Sequence, residues 1–371
     1  MSSARATTLA EAFSAKLLKE MYEMSLTDKI VNRDYQGEVN DVGSKINILN
    51  ISRISEKTYT GADLTADSLY EVNTLLTLSE QKSFYWTEKT IDNWKSYVKD
   101  PHSTVVAQKA DERNKNMDEY LLGLYGDVGA GNHVGTDYNT GTVTVAVTTG
   151  VVTGAGGATF SAGMVGKSFK ATGHTKWYRI KAYNSAQEIV IENDSDDETS
   201  AYDGGAIAGG TAYVIQANTA VAVTTSNLLQ KVADLKQKLD ETEKYGLSAV
   251  PDSERWLIAP PEFFNTIVRA SGIVLHVPEV YTNLIKAGFQ GELLGFKLFQ
   301  STRLTGDNSS GYHILAGHPN WVTFAEKLLK ADIEEDLKGN FGSAYKDLFV
   351  YGAKVADSRR HFCAELFATF A

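Results

Sequence analysis

The segment 38–125 constrains the fold of this chain more than any other part of the sequence. It contains two extended stretches, 44–60 and 72–87, which are joined by a polar loop around Asp63. One long charged helix follows, over about 103–125. An isolated two-stranded hairpin is only marginally stable in water, so this hairpin needs a neighbour. We expect that neighbour to be another copy of the same chain.

The predicted helix carries an apolar stripe on one side and charged residues over most of the remaining surface. The stripe consists of Val106, Ala110, Met117, Leu121 and Leu124. At a rise of about 1.5 Å per residue the helix is roughly 30 to 35 Å long, so it is a strut rather than a connector. Gly126 and Gly129 are expected to end it.

Length and composition indicate a globular protein with more than one substructure. The chain has 371 residues, which exceeds the roughly 250 to 300 residues at which a single hydrophobic core usually stops growing. Its hydrophobic content of 43% and charged content of 22% are ordinary for a folded protein. The formal net charge of −10 argues against a nucleic-acid-binding surface spread over the whole molecule.

The N-terminal segment is predicted to be an amphipathic helix, because Leu9, Phe13, Leu17 and Met21 recur at helical spacing. It lacks the pattern of an export signal. No stretch of the chain approaches the roughly 18 consecutive apolar residues of a membrane span, so no membrane association is expected. Cys363 is the only cysteine, which excludes an intrachain disulfide.

The composition changes abruptly over 130–216. This stretch is dense in Gly, Thr, Val and Ala, contains no proline, and holds roughly half of the chain's 31 glycines. Its apolar residues alternate in short runs, as in Val143, Val145 and Val147. Short strands separated by glycine turns predict a small antiparallel sandwich or barrel. We interpret it as an all-β domain inserted into a main body.

Beyond the insertion, helices and strands alternate. A helix is predicted after Ser226, which can cap it, with a buried stripe of Leu228, Val232, Leu235 and Leu239. Further elements are predicted as the helix 262–270 and the strands 255–259, 293–300, 312–316, 321–324, 348–355 and 362–370. The fold class is therefore α+β with mainly antiparallel pairing.

The order of these parts resembles that of the major capsid proteins of tailed bacteriophages, which have the HK97-like fold. Three strings carry the resemblance: RWLIAPPEFFNTIVRA at 255–270, GELLGFKLFQSTRL at 291–304 and YGAKVADSRR at 351–360. They look like the axial-domain helix, a strand that runs toward the capsomer body, and the closing strands of that family. The resemblance covers nearly everything except 130–216, and some phage coat proteins carry an inserted β domain near this point.

The resemblance implies an α+β, HK97-like capsid fold with five parts. These are an N-terminal arm (1–40), an extended β-hairpin loop with the start of the peripheral domain (41–100), a spine helix (101–129), an all-β insertion domain (130–216), and the axial domain with the remaining peripheral-domain strands (217–371).

It also implies a function without catalysis and without a cofactor. The chain would assemble into hexamers and pentamers of an icosahedral shell, in the cytoplasm of a host bacterium, around double-stranded DNA that it does not bind in a sequence-specific way. Scaffold, portal and decoration proteins would be further partners. Encapsulin shells share this fold and remain an alternative.

Eight residues are candidates for contacts between subunits. They are Arg33, Arg53, Lys57, Tyr59, Asp63, Arg303, Arg359 and Arg360. The arginines qualify because a guanidinium group pairs with a carboxylate in a fixed geometry, although ordinary surface charge explains each of them equally well. In some relatives a lysine of the extended loop is joined to an asparagine of a neighbour, and Lys57 could take that place, but no partner asparagine is identified.

Signals for chemistry are weak throughout the sequence. The seven histidines form no zinc-binding spacing, the glycine-rich loops lack the lysine of a phosphate-binding loop, and no nucleophile elbow occurs. A hydrolase with a scattered site therefore stays a remote alternative. Asp194, Asp196 and Asp197 could supply oxygen ligands to Ca²⁺, but their spacing departs from that of a calcium-binding loop and a solvated loop is favoured.

A glycan-binding surface protein is the alternative from another functional class. Four aromatic residues of the insertion could stack on sugar rings, namely Trp177, Tyr178, Tyr183 and Tyr202. Packing in a small core is the favoured interpretation of these residues.

Overall fold

The computed structural model describes residues 25–38, 45–51, 71–89, 101–194, 201–242, 248–269, 291–334 and 341–371. The predicted N-terminal amphipathic helix lies outside these ranges. The α-helices within them are α1 (Thr27–Ile30), α2 (Pro101–Leu122), α3 (Leu228–Asp240) and α4 (Pro261–Arg269). Single 3-10 turns occupy Gln36–Glu38, Gly123–Asp127, Ala162–Met164, Pro319–Trp321 and Asp357–Phe362.

The strands are numbered in chain order. They are β1 (Lys45–Ile51), β2 (Glu71–Thr77), β3 (Glu80–Lys89), β4 (His133–Val134), β5 (Thr136–Tyr138), β6 (Thr142–Val145), β7 (Val151–Ala155), β8 (Ser168–Ala171), β9 (Tyr178–Ser185), β10 (Glu188–Glu192), β11 (Ile207–Thr211), β12 (Tyr213–Thr219), β13 (Val221–Val223), β14 (Trp256–Ala259), β15 (Glu292–Leu293), β16 (Phe296–Gln300), β17 (Gly306–Asp307), β18 (Gly311–Gly317), β19 (Val322–Glu334), β20 (Gly342–Val355) and β21 (Cys363–Phe370).

The centre of the molecule is a mixed sheet, which we call the body sheet, with the strand order β13-β21-β18-β14-β16-β15. Helices α3 and α4 cover one face through an apolar cluster, and the C-terminal part of α2 covers a second cluster around Trp256 and Trp321. The pairs β14/β16 and β13/β21 are parallel, so the expectation of mainly antiparallel pairing is only partly met in this sheet.

Local sequence explains the elements that flank the body sheet. All four residues of β14 are buried, and the strand ends at Pro260, after which Pro261 opens α4 at a position that proline favours. The predicted stripe of α3 is confirmed, because Leu228, Val232, Leu235 and Leu239 are the buried residues of that helix. The predicted cap is wrong: Asn227 precedes the helix, and no side chain caps it.

The stretch 72–87, predicted as one strand of the long hairpin, is two strands in two sheets. β2 pairs with β1, whereas β3 pairs with β20 in a three-stranded sheet of order β19-β20-β3. In β3 the rings of Phe84 and Trp86 lie beside α2, where the ammonium group of Lys109 is 5.5 Å and 5.3 Å from their ring centroids.

Helix α2 packs on the three-stranded sheet through charges rather than through its whole apolar stripe. Lys109 and Arg113 both pair with Asp347 of β20, and the guanidinium carbon of Arg113 lies 4.1 Å from the centroid of the Phe349 ring. Met117 and Leu121 are buried, whereas Val106 is 42% exposed. Only the C-terminal half of the predicted stripe therefore faces a core within this subunit.

The base of the β1–β2 hairpin is seated on the three-stranded sheet. Ile46, Ile48, Leu76 and Leu78 are buried in one cluster with Ala325 and Val350. On the opposite face of the hairpin, Leu75 is 43% exposed. The hairpin tip, 52–70, lies outside the described residues. One face of the described base is thus covered within the subunit and the other is not.

Residues 136–219 form an eight-stranded antiparallel sheet, which we call the module sheet, with the order β11-β6-β7-β10-β9-β8-β12-β5. It has its own apolar cluster, centred on Phe169, Tyr178 and Tyr213. β11 and β5 are its two edges, so it is an open sheet rather than the closed barrel that was one of the expected forms.

Both ends of the module sheet connect to the same strand of the body sheet. His133 and Val134 of β4 lie opposite Glu365 and Leu366, and β13 lies opposite the end of the same strand, β21. β4 and β13 are both parallel to β21 and follow one another along it. The chain therefore leaves and re-enters the body within a few residues of β21.

The close approach of the hairpin to the three-stranded sheet depends on Gly352. A Cβ atom at this position would lie 2.2 Å from the carbonyl oxygen of Thr77 and 2.9 Å from the Cα of Leu78. We expect Gly352→Ala to lower the free energy of unfolding by about 1 to 3 kcal/mol, because both atoms belong to the backbone and the hairpin must move.

Denaturant-induced unfolding measures this loss. Gly123→Ala is the matched control, since a Cβ atom at Gly123 meets no atom within 4 Å. Equal stability of the two variants would show that the hairpin is not held against Gly352.

Candidate assembly surfaces and the module junction

A fully buried carboxylate fixes the first described segment on α2. Asp118 accepts hydrogen bonds from the backbone nitrogens of Leu26 and Thr27, at 3.1 Å and 3.0 Å, and from the Thr27 hydroxyl at 2.7 Å. The guanidinium group of Arg303 donates to the same carboxylate at 2.6 Å. Because a buried charge is tolerated only when it is paired and hydrogen-bonded, this set of contacts holds together α1, α2 and the segment that follows β16.

The structure places the predicted intersubunit arginines in two kinds of environment. The side chains of Arg303 and Arg360 are only 7% and 3% exposed, and both pair with carboxylates of the same chain. This differs from the expected surface position: an arginine whose guanidinium group is already buried within the subunit has little surface to offer a neighbour. Arg33 is 31% exposed and pairs with Glu326, and Arg359 is half-buried against the carbonyl oxygen of Asn320.

The other four candidates, Arg53, Lys57, Tyr59 and Asp63, lie outside the described residues. The same holds for Asp196 and Asp197. Of the described candidates for intersubunit contacts and for Ca²⁺ binding, the structure brings together Arg360 and Asp194.

Asp194, expected as a weak Ca²⁺ ligand, is instead the centre of an ion-pair cluster. One of its oxygens lies 2.8 Å from Arg179 and 3.1 Å from Arg360, and the other accepts from the backbone nitrogen of Ala130. Arg179 also donates to the carbonyl oxygen of Val128. Within the described ranges no group of three or more His, Cys, Asp or Glu residues could hold a metal ion.

This cluster joins three parts of the molecule. Asp194 and Arg179 belong to the module sheet, Val128 follows α2, and Arg360 lies in the 3-10 turn before β21. The cluster therefore fixes the module sheet against the body at a point separate from the two connecting strands.

A second polar cluster lies directly on the connection. Glu365 of β21 is 2% exposed, and each of its oxygens contacts an imidazole Nδ1, one from His133 and the other from His313. A carboxylate can only accept, so both Nδ1 atoms carry the proton. The His313 ring is stacked between Tyr125, at a centroid distance of 3.8 Å, and Phe367, at 4.6 Å.

Burial and pairing act in opposite directions on Glu365. Burial alone would raise the pKa of this carboxyl group, but the hydrogen bonds from His133 and His313 lower the pKa to about 2. On the module side, burial lowers the pKa of Lys167, and the carboxylate of Glu365 opposes that shift. The Lys167 ammonium group lies 4.7 Å from the centroid of the Phe367 ring. Glu365 is thus the anion shared by β4, β18 and the module sheet.

A groove of about 640 Å³ lies between the module sheet and α3. Its lining includes Trp177, Asp137, Gln216 and Lys238, and burial lowers the pKa of Lys238. Positive and negative side chains line it in similar numbers, so its charge does not select an anionic or a cationic ligand.

The four aromatic candidates for glycan stacking lie in different environments, although the rings of Tyr178 and Tyr202 contact each other at a centroid distance of 4.9 Å. Tyr178 and Tyr202 are 2% and 5% exposed and belong to the core of the module sheet. Tyr183 is 37% exposed, and Trp177 lines the groove with its ring against Gly131. The expectation of core packing is therefore met by Tyr178 and Tyr202 and not by Tyr183 or Trp177.

Outside the module sheet, Leu75, Leu229, Val268 and Leu294 are exposed apolar residues on separate elements, whereas seven others lie on or next to the three-stranded sheet and its helix. The seven are Tyr85, Val106, Leu328, Leu329, Ile333, Phe341 and Leu348. Clustered exposed apolar residues mark interaction sites more often than scattered ones do.

None of the helices in the described ranges has the length and apolar character that a membrane crossing requires.

Sequence reasoning missed both buried carboxylates. Asp118 was expected among the charged residues outside the apolar stripe of α2, so helical periodicity did not predict its burial. For Glu365 there was no signal either. Its two histidine partners lie 232 and 52 residues away in the sequence.

Comparisons with protein-family models and with curated proteins give no match. Among solved structures, the fold is similar to a chain from Mycobacterium phage Che8, with a TM-score of 0.60, 16% identity, and coverage of 99% of this chain and 98% of that chain. It is also similar to the capsid structure of the cyanophage P-SCSP1u, with a TM-score of 0.57, 11% identity, and coverage of 98% and 94%.

A third similar structure is the capsid asymmetric unit of cyanophage Pam1, with a TM-score of 0.57, 11% identity, and coverage of 99% of this chain and 98% of that chain. The chain thus has the fold of phage capsid subunits over nearly its whole length. This confirms the predicted fold class in its coarse form, a mixed α and β structure of the phage capsid type.

The Asp194 cluster can be tested by a substitution that keeps the shape of the side chain. Asp194→Asn leaves two largely buried guanidinium groups without their shared anion, so we expect a loss of roughly 3 kcal/mol in the free energy of unfolding. Hydrogen exchange should accelerate at 129–135 and 357–362, which the cluster joins.

Asp203→Asn is the matched control, because the Asp203 side chain is 55% exposed and pairs with the exposed Lys176. If both variants behave alike, the cluster does not fix the module sheet to the body.

The Glu365 cluster predicts a pH dependence of stability. The folded-state pKa of about 2 lies below the ordinary value of 4.5, so the stabilisation is fully present above about pH 4.5 and is lost as the pH falls toward 2. We expect Glu365→Gln to cost about 3 kcal/mol at neutral pH, and the difference from the wild type to shrink on acidification. Denaturant unfolding between pH 7 and pH 3 measures it.

Glu292→Gln, at an exposed position of β15, serves as the control and should give no difference at any pH. A difference for Glu365→Gln that stayed constant over this pH range would contradict the assignment of a charged, paired carboxylate.

Proposed function

We propose that this chain is the major capsid protein of a tailed bacteriophage and assembles with copies of itself into an icosahedral shell around the phage genome. The observation that carries the proposal is the likeness to phage capsid subunits, which extends over 98% to 99% of this chain. The role is structural and requires neither a catalytic residue nor a cofactor.

The surface of the isolated subunit supports this role. A closed shell needs several distinct contacts that repeat by symmetry. Leu75 on the hairpin, Val106 on α2 and Ile333 on the three-stranded sheet are 43%, 42% and 60% exposed, and they belong to three different elements. Burial of these side chains would contribute favourable free energy only when another molecule covers them.

In this proposal the elements take the parts of the HK97-like fold. β1 and β2 belong to the extended loop, α2 is the spine helix, and the three-stranded sheet belongs to the peripheral domain. The body sheet with α3 and α4 is the axial domain. The module sheet is an insertion domain, a role supported by the attachment of both its ends to β21.

The shell would consist of hexamers and pentamers and would form in the host cytoplasm, with scaffold, portal and decoration proteins as further partners. The net charge of −10 supports a container that does not hold its DNA tightly. Of the predicted arginine contacts between subunits, we retain Arg33 and Arg359, whose guanidinium groups are not fully buried. Arg53, Lys57, Tyr59 and Asp63 remain predictions for the hairpin.

The test is assembly of the purified full-length chain, followed by sedimentation and negative-stain electron microscopy. We expect closed shells, or hexamers and pentamers, from the wild type. Leu75→Asp should lower the assembled fraction at least about tenfold, because it places a charge in a contact that excludes water. Its unfolding transition should stay unchanged.

Val147→Asp is the matched control, since Val147 is 56% exposed on the module sheet and should not affect assembly. A wild-type chain that remains monomeric under all assembly conditions would contradict the proposed function. Equal assembly of the two variants would show that the outer face of the hairpin takes no part in the contact between subunits.

A further inference from the structure

The outer edge of strand β19 contacts other parts of the subunit over only about half of its length. Its inner edge pairs with β20 from Val322 to Glu334, with one register shift between Leu328 and Lys330 that leaves Leu329 without a partner in β20. On the outer edge, Asn32 bridges to Thr323, and the side chain of Gln36 accepts from the backbone nitrogen of Glu326 at 3.0 Å. From Lys327 to Glu334, no strand among the described residues pairs with this edge. Such an edge is a template for pairing with another chain.

The side chains of this free half are unusually exposed for a strand that belongs to a sheet. Leu328 and Leu329 are each 51% exposed and Ile333 is 60% exposed. Leu328 and Leu329 are adjacent at the register shift, and beyond it the charged residues Lys330 and Asp332 alternate with Ala331 and Ile333. The ammonium group of Lys330 is 3.4 Å from the carboxylate of Asp332, and Lys346 of β20 lies 3.5 Å from the same group. The free half therefore presents apolar and charged residues on opposite faces.

We propose that the free edge of β19 pairs with the same edge of a second copy of this chain, antiparallel and about a two-fold axis. The pairing would merge two three-stranded sheets into one six-stranded sheet. It names one partner surface for the proposed self-assembly and rests on that function, although the contact can also form between two subunits alone.

Symmetry selects the register. A two-fold axis perpendicular to the sheet keeps each side chain on its own face, so directly opposed residues must lie an even number of positions apart. An axis at Lys330 or at Asp332 would oppose two like charges. An axis at Ala331 sets Lys330 opposite Asp332 of the second copy on one face. On the other face it brings Ile333 close to Leu329 of the second copy, the residue at the register shift of β19.

The register at Ala331 is thus complementary on both faces. The charged face forms a ring of four alternating charges, two from each copy, and the apolar face covers Leu329 and Ile333, which are exposed in the single subunit. Opposite charges and apolar pairs directly across an antiparallel ladder stabilise it, whereas like charges destabilise it. A strand edge in this form also satisfies backbone groups that the subunit leaves to water.

Ala331→Cys tests the contact directly, because the two cysteines would face each other across the axis. The native Cys363 is fully buried, so the background reaction is low. Under mild oxidation of assembled full-length chain, we expect at least about tenfold more disulfide-linked dimer than from Ala146→Cys. Ala146 is an exposed alanine that follows β6 and is the matched control.

Charge reversal tests the register. In the Ala331→Cys background, Lys330→Glu should lower the dimer yield roughly three- to tenfold, because two like-charged pairs then oppose each other. Adding Asp332→Lys restores opposite charges and should restore the yield. A yield that does not respond to Lys330→Glu would overturn the register.

The outcomes separate this contact from the proposed function. Shells that form while Ala331→Cys links no better than Ala146→Cys would overturn the β19 contact and leave the capsid role intact. Linked dimers without any shells would support the contact and contradict the capsid role.

Circular dichroism of each variant shows whether its fold is kept. If the cysteine variant misfolds, Lys330→Glu is made in the wild-type background, with and without Asp332→Lys, and the assembled fraction is measured by sedimentation. Loss of assembly with the single change and recovery with the double change would support the contact. Equal assembly of all three chains would overturn it.

Discussion

Strand β21 holds the molecule together, because its two edges bind three other strands. β18 pairs along one edge, while β4 and β13 follow one another along the opposite edge. The backbone hydrogen bonds of this one strand therefore hold the body sheet together and also determine where the module sheet is attached. Its side chains are correspondingly confined: Ala364, Leu366 and Ala368 are fully buried.

Buried charges add orientation to this framework. Asp118, Asp194 and Glu365 each accept hydrogen bonds from groups that are distant in the sequence. Two apolar surfaces can shift relative to each other at little cost. Loss of a hydrogen-bond partner at a buried carboxylate, by contrast, strongly destabilises the fold. Each of the three carboxylates therefore favours one relative placement of the elements that contact it. Two of them lie at the junction between module and body, which holds the module sheet in a defined position.

The outer elements, which are α2, the hairpin and the three-stranded sheet, differ from this centre because several of their apolar side chains are exposed. α2 is attached to the three-stranded sheet through Asp347, and Val106 on its N-terminal half remains exposed. The hairpin buries one face on Ala325 and Val350 and leaves Leu75 to solvent. The subunit thus has a well-packed centre and exposed apolar residues at its periphery, as the proposed self-assembly requires.

Elements with local signals follow from the amino-acid sequence alone: the helical spacing of the α3 stripe, the prolines at the end of β14, and the glycine-rich alternation of the module sheet. Which of these signals prevail depends on contacts between distant segments. The stretch 72–87 reads as one strand in the sequence, but its first half pairs with β1 and its second half with β20, a strand that begins more than 250 residues further along the chain. Arg303 and Arg360 are buried because each pairs with a carboxylate that is distant in the sequence, Asp118 and Asp194 respectively. These pairs exist only in the folded chain, so the sequence did not predict the burial. The periodicity of apolar residues predicts which side of a helix or strand is buried. The partner of a buried charge depends on which distant segments lie close together in the folded chain, and the sequence alone does not give that.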